Sequence, residues 1–246
     1  MHYYFITIIL YQNINKVVTI QIIMLEIEDI LKSLAKEKPV FYSEKDFQCL
    51  LGWQIKEKYP DVDVRSEVPI EKNDGKIEHI DLRVRDGKSK IGIELKYITR
   101  SFKTTINGDE FNLKNHAAND LRCYDVLKDI QRLESYIENE KIDKGYSIVL
   151  TNVESLWSKN ESVRETYYDN FRIGNGNIVT GELKWKENIN GETNKAADGT
   201  KKGRKKPINL QGTYNLNWME YFNNLSEEKE SKKGGLFKYL LVEIKP

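Results

Sequence analysis

The chain has 246 residues, 39% of them hydrophobic and 31% charged, with a formal net charge of +1. That is enough apolar material for a substantial core, and near-neutrality excludes binding polyanions through a general positive field, so such affinity would have to come from local patches. Two cysteines and three histidines are too few for a disulfide framework or a zinc centre, leaving buried free thiols in a reducing, cytoplasmic setting.

Residues 1–23 differ from the rest. Tyr3 to Tyr11 and Val17 to Met24 are apolar and β-branched, but neither run reaches the roughly 18 to 20 residues of a membrane span. The basic start and small-residue cleavage site of a signal peptide are missing. This segment reads as a β-hairpin or as an extension upstream of Met24, dispensable for chemistry. Leu25 to Lys38 then reads as a short helix ended by Pro39.

Ser43 is a good N-cap for the next helix, with Asp46 three residues on in a capping-box arrangement. Phe47, Leu50, Leu51 and Ile55 recur at helical spacing, and Tyr59-Pro60-Asp61 stops the run. Glu44 lies in the first turn. Either it faces the edge of a sheet or it complements the positive end of the helix dipole.

Two alternating stretches follow, His79 to Arg85 and Lys90 to Ile98, around Asp86-Gly87-Lys88-Ser89. Strand alternation puts Ile80, Leu82 and Val84 on one face with Asp81 opposite, and Ile91, Ile93, Leu95 and Tyr97 on one face with Glu94 and Lys96 opposite. A Gly87-Lys88 turn sets Asp81 across from Glu94; an Asp86-Gly87 turn, which type I′ chemistry favours, sets it across from Gly92, with Glu94 on the diagonal. Either register keeps the three charged groups on one face, whereas a three-residue loop would separate them.

Thr99 to His116 is polar, contains Gly108 and reads as a loop. Asn119 or Asp120 caps a strong helix running to about Glu140, with Cys123, Val126, Leu127, Ile130, Leu133 and Ile137 as its apolar stripe. Cys49 is likewise placed on an apolar helix face. Tyr146 to Thr151 reads as an interior strand. Beyond it, Ile178-Val179, Leu183 to Lys186, Ile208 to Trp218 and Leu236 to Lys245 read as strands, and no linker divides residues 24–246 into two domains.

Carboxylates facing each other across a hairpin repel, and a divalent cation removes the conflict. Oxygen donors of this kind suit Mg²⁺, with Mn²⁺ as a substitute, and a lysine on the same face can stabilise negative charge at a phosphorus centre. Asp81 followed by Glu94-Leu95-Lys96 resembles the PD-(D/E)xK nuclease superfamily. The resemblance implies an α/β fold, a restriction endonuclease-like mixed sheet flanked by helices, with a core at about residues 43–151 and a β-rich C-terminal elaboration at 152–246. It implies metal held by Asp81, Glu94 and the Leu95 carbonyl, with Glu44 as a further contact and Lys96 assisting the attacking water. Ile80 stands where the motif has proline. Gln131 is a weaker candidate, because the glutamine-tyrosine spacing of RecB-like members is broken here, and so is His79, two residues from Asp81.

Lys201, Lys202, Arg204, Lys205 and Lys206 form a basic run inside a polar segment, read as a mobile loop. It fits either a phosphate-contacting arm or a solvated loop. Trp185 and Trp218 suit base stacking or core packing. No P-loop and no nucleophile elbow is present. The expected activity is Mg²⁺-dependent DNA cleavage, with RNA cleavage or a catalytically silent binding module as alternatives. The expected partner is DNA and not a membrane; homodimerisation and a methyltransferase or ATPase partner stay open.

Overall fold

The computed structural model describes residues 25–246 except 73, 88, 117, 160–164, 190–191, 194–200 and 225–233; the expected N-terminal extension lies outside the described residues. Helices α1 (Ile27–Glu37) and α2 (Glu44–Lys58) come first. They are followed by strands β1 (Asp63–Glu71), β2 (Ile77–Asp86), β3 (Ser89–Ile98), β4 (Phe102–Ile106) and β5 (Asp109–Leu113). Helix α3 (Asn119–Glu138), strand β6 (Lys144–Thr151) and the short helix α4 (Glu154–Trp157) form the middle of the chain. The rest is β-rich: β7 (Asn177–Leu183), β8 (Asn188–Ile189), β9 (Glu192–Thr193), β10 (Ile208–Leu216), β11 (Trp218–Asn223) and β12 (Leu236–Ile244).

The protein is a mixed α/β structure built on a six-stranded sheet in the order β1-β2-β3-β6-β12-β11. Only β3 and β6 pair in parallel among its described strands; the other neighbours are antiparallel. The chain crosses from β3 to β6 through α3, as a parallel pair requires. One apolar layer joins α1 and α2 to Leu82, Val84, Ile91, Ile93, Leu95 and Tyr97. The opposite layer joins α3 to Ile98, Val149, Leu240 and Val242, and takes in Phe171, Val179, Trp185 and Ile208 from the C-terminal region. β11 and β12 extend the main sheet, while β7 and β10 form a separate two-stranded sheet beside α3.

Local chemistry explains the helix boundaries. The Ser43 hydroxyl accepts the Asp46 amide at 3.2 Å, and the Asp46 carboxylate accepts the Tyr42 amide at 2.9 Å, so the cap is reciprocal but one residue earlier than a standard box. α3 starts at Asn119, yet its cap is Ala118 in the left-handed region (φ 66°), with no side-chain cap. No helix among the described residues is long and apolar enough to cross a membrane.

Several expectations change. The segment 99–116 carries the β4-β5 hairpin, because Phe102, Phe111 and Leu113 alternate and bury. β1, DVRSEVPIE, was not expected as a strand; Val64, Val68 and Ile70 alternate with polar residues, Ser66 and Pro69 weaken the pattern, and it forms by pairing with β2 as an edge strand. The Ile208 to Trp218 stretch is two strands, β10 ending at Leu216 and β11 starting at Trp218 in a different sheet. Leu183 ends β7, and Trp185 leaves the strand to stack on Tyr124. Cys49 is exposed, while Cys123 is buried and burial pushes its thiol up to about 12. Both are free.

Candidate active site

Pairing between β2 and β3 runs from Asp86↔Ser89 to Leu82↔Ile93 and then stops. This is the register of the Gly87-Lys88 turn rather than of the Asp86-Gly87 turn that type I′ chemistry favours, and the next pair would be Asp81 with Glu94. Instead the two strands part at that point. On the other side of β2, the pairs Ser66↔Leu82 and Val68↔Ile80 bracket Glu67 and Asp81, which do not pair. Glu67 has φ 51°, a left-handed conformation that costs a non-glycine residue about 1–2 kcal/mol.

This break corrects the alternation argument. Leu82 packs with α2, but Ile80 sits in the α3 layer, near enough that a Cβ on Gly92 would lie 2.8 Å from its Cδ1. Side-chain parity therefore slips by one at Asp81. The Asp81 carboxylate turns into the gap, where its Oδ2 accepts the Leu95 amide at 2.7 Å. Two residues further along the exposed edge of β3, Glu44 Oε2 accepts the Tyr97 amide at 2.8 Å. Two carboxylates thus take the place of β2's carbonyls, which settles Glu44 in favour of the sheet edge.

Gln48 holds the break open. It is buried on α2, and its Nε2 donates to the Asp81 carbonyl and, at 3.1 Å, to Glu67 Oε1. Lys45 completes the Glu67 carboxylate at 2.7 Å. Without Gln48, the kinked Asp81 carbonyl would be left unpaired in a partly buried site.

Glu94 and Lys96 project to the α3 side, where two unforeseen residues meet them. Arg132 Nη2 lies 3.2 Å from Glu94 Oε1, and Lys96 Nζ lies 2.7 Å from Asp129 Oδ2 and 3.1 Å from the Leu95 carbonyl. Arg132 also reaches Asp129 at 3.3 Å, Glu78 at 3.3 Å and the His79 carbonyl at 2.7 Å. The Tyr136 hydroxyl donates to Glu78 at 2.9 Å. The side chains of Glu94 and Asp129 are only 1% and 6% exposed, so this is a buried ion-pair network.

Its electrostatics are unbalanced. Asp81, Glu94 and Asp129 lie close enough to repel one another, and Lys96 and Arg132 offset them only in part. Burial, reinforced by mutual repulsion, raises the carboxyl pKa of Asp81 and Asp129, and raises that of Glu94 well above the ordinary value. Burial works against the charge of Lys96, but Asp129 and the other carboxylates outweigh it and raise its pKa. Lys96 is therefore an ammonium at neutral pH.

The donor set suits a hard divalent cation. Glu94 Oε1 is buried with no well-directed hydrogen bond, and the Leu95 carbonyl lies beside Lys96 on the opened edge. Among the described residues no three His, Cys, Asp or Glu side chains converge as a ready-made cage. Mg²⁺ does not require one, since it keeps several waters and takes one or two carboxylates. Asp81, Glu94, the Leu95 carbonyl and Glu44 are the residues that could hold it.

No protein-family model matches the chain, and comparison with curated proteins and with solved structures finds no significant match.

Gln131 accepts from Lys128 at 2.7 Å and donates to the Asn209 carbonyl at 3.1 Å, which commits it to β10. The His79 side chain is exposed, and only its carbonyl serves the network. In the basic run, Arg204 is bound to Asp125 by two bonds of 2.6 and 2.8 Å, while its carbonyl accepts Trp185 Nε1 at 2.7 Å. The Tyr124 hydroxyl donates to the Lys206 carbonyl at 2.8 Å. The run is thus docked on α3, with Arg204 paired to Asp125. Trp185 and Trp218 are core residues. Asp129, Arg132 and Tyr136 had one legible signal: they recur three and four residues apart on α3, a polar row at the spacing of the apolar stripe.

Proposed function

We propose that the chain is a Mg²⁺-dependent deoxyribonuclease of the PD-(D/E)xK type on a restriction endonuclease-like fold, an endonuclease of restriction, defence or repair. The observation that carries this reading is the opening between β2 and β3. It brings the Asp81 carboxylate and the Leu95 amide and carbonyl to one edge, beside buried Glu94 and protonated Lys96. Bound there, a divalent cation would polarise a phosphodiester and lower the pKa of a water. Asp81, Glu94 and the Leu95 carbonyl would hold it, with Glu44 acting through water.

Lys96 works as a fixed positive charge rather than a base. Asp129 and the Leu95 carbonyl aim its ammonium, which can orient a water or stabilise charge developing on a phosphate oxygen. Gln48, Asp129 and Arg132 position these groups without touching substrate.

A second reading has its own observation. Lys96 is closed on Asp129 and Glu94 on Arg132, so the network is satisfied internally to the extent that a silent nucleic-acid-binding module would need. One experiment separates the two: purified protein incubated with plasmid, linear and single-stranded DNA and with RNA, in Mg²⁺, Mn²⁺ or EDTA, beside Asp81→Asn and Lys96→Ala. Metal-dependent cleavage lost in both variants is the expected result. Cleavage surviving both removes this site from the chemistry, binding without cleavage favours the module, and cleavage confined to RNA reassigns the substrate.

A further inference from the structure

Past Ile98, β3 leads into a cavity of about 550 Å³ lined by Arg100, Asn115, His116, Asn119, Glu154 and Ser155 among others. Its size is that of a small-ligand site. It lies at the carboxyl ends of β3 and β6, the parallel pair, which is where open α/β sheets leave a crevice. We propose that this cavity is a phosphate subsite, in which Arg100 binds a phosphate of the substrate strand other than the one cleaved. The proposal rests on the nuclease reading for its substrate.

Arg100 is built to present its head group. Its amide donates to Asn152 Oδ1 at 2.8 Å, and Asn152 Nδ2 donates back to the Arg100 carbonyl at 3.4 Å and to the Gly234 carbonyl at 2.8 Å. Gly234 has φ 105°, and a Cβ there would lie 3.1 Å from Arg100 Cγ, so the arginine stem lies against it. The backbone is clamped and the stem packed, while the guanidinium makes no hydrogen bond or ion pair with any described residue. A planar fork of this kind matches two oxygens of a phosphate.

His116 is fixed on the same wall. Its amide donates to the Thr99 carbonyl at 2.7 Å, and its Nδ1 accepts the Thr99 amide at 3.3 Å. The ring also hydrogen-bonds the Tyr97 backbone, so it is a positioned wall of the cavity rather than a free donor. Asn119 Nδ2 is bound to the Ser155 hydroxyl at 2.8 Å, which ties the start of α3 to α4 across the cavity. Among the described residues of the lining, Glu154 is the one carboxylate.

The cavity continues the catalytic edge rather than duplicating it. Glu44, which caps Tyr97, also acts electrostatically on both Lys96 and His116. Arg100 is four residues beyond Lys96, roughly 13 Å at strand rise, too far to hold the same phosphate. A neighbouring phosphate on one strand meets both requirements.

The test uses the full chain in an Asp81→Asn background, where binding is read without cleavage. The probe is a fluorescein-labelled single-stranded oligodeoxynucleotide with or without a 5′-phosphate, followed by anisotropy across a salt series. Arg100→Ala should weaken binding about tenfold and lower the salt slope by about one, with Arg100→Lys recovering part of the affinity and both keeping the parental thermal midpoint. Equal loss on both probes assigns an internal phosphate; loss confined to the phosphorylated probe assigns a terminal one. Unchanged affinity and slope in Arg100→Ala overturn the subsite even if the wild type cleaves DNA. A wild type that never cleaves, with the Arg100 effect intact, overturns the nuclease reading and leaves the subsite standing.

Discussion

Strand β3 has two edges that differ in kind. Toward β6 it pairs without a break from Ile91↔Lys144 to Ile98↔Thr151, and β6 in turn pairs continuously with β12. Toward β2 it pairs only as far as Ile93, and beyond that its amides are taken by the carboxylates of Asp81 and Glu44. A continuous ladder satisfies the backbone with neutral groups and generates no field. An interrupted one can be satisfied by anions, and so the same accounting that keeps the backbone paired concentrates negative charge at one point of the sheet. The cost is visible in the raised carboxyl pKa values and in the left-handed Glu67.

The largest effect separating the two edges should be on activity. Asp81→Ala should lower DNA cleavage by at least about a hundredfold in a plasmid-nicking assay, the scale for loss of a group acting on transition-state charge. Leu150→Ala, on the continuous side, should leave the rate per folded molecule near wild type while costing about 2–5 kcal/mol in urea unfolding. Equal losses of rate in the two variants would erase the distinction.

Arg132→Ala should cost a similar 3–5 kcal/mol for a different reason, since it leaves the buried Glu94 carboxylate without its partner. Its signature is rescue: Mg²⁺ or Mn²⁺ should recover part of this loss and none of the Leu150→Ala loss. Chemical denaturation with and without metal checks it.

Next in size is the response of the wild type to metal and pH. Asp81, Glu94 and Asp129 have raised folded-state pKa values, so their favourable contribution is complete below about pH 4 and is lost as pH rises through those values. Metal should restore stability at the upper end of that window, by about 2.7 kcal/mol at a hundredfold excess over Kd, and its affinity should fall as the carboxylates protonate. Thermal midpoints with and without Mn²⁺ at several pH values measure this, and Asp81→Asn should flatten the response.

The smallest effect belongs to the docked basic run. Arg204→Ala breaks a partly exposed pair with Asp125 and should cost about 1 kcal/mol or less. Lys202→Ala should lower the salt slope of DNA binding by no more than about one. A larger slope change at Arg204 than at Lys202 would show that the docked arginine leaves Asp125 to meet DNA.

Much of this was legible in local pattern. The Ser43 cap, the apolar faces of α2 and α3, the β2-β3 hairpin and the strand β6 follow from capping chemistry and periodicity, which depend on neighbours in sequence; the turn of that hairpin does not, since its chemistry favours Asp86-Gly87. The β4-β5 hairpin was missed because the polar residues around its few apolar positions mimic a loop, and β1 because Ser66 and Pro69 interrupt the alternation of Val64, Val68 and Ile70. Asp81 and Glu94 were found through an alternation that fails at Asp81 itself. The residues come together, but through a kink.

The sequence by itself determined which residues carry the charge and on which elements they lie, because helix and strand periods are properties of the local chain. Tertiary structure alone decided that the ladder opens at Asp81, that Gln48 and Glu67 hold it open, and that Asp129 and Arg132 close over Lys96 and Glu94. Those choices depend on which buried polar groups find partners from elements far apart in the chain, and periodicity carries no record of that.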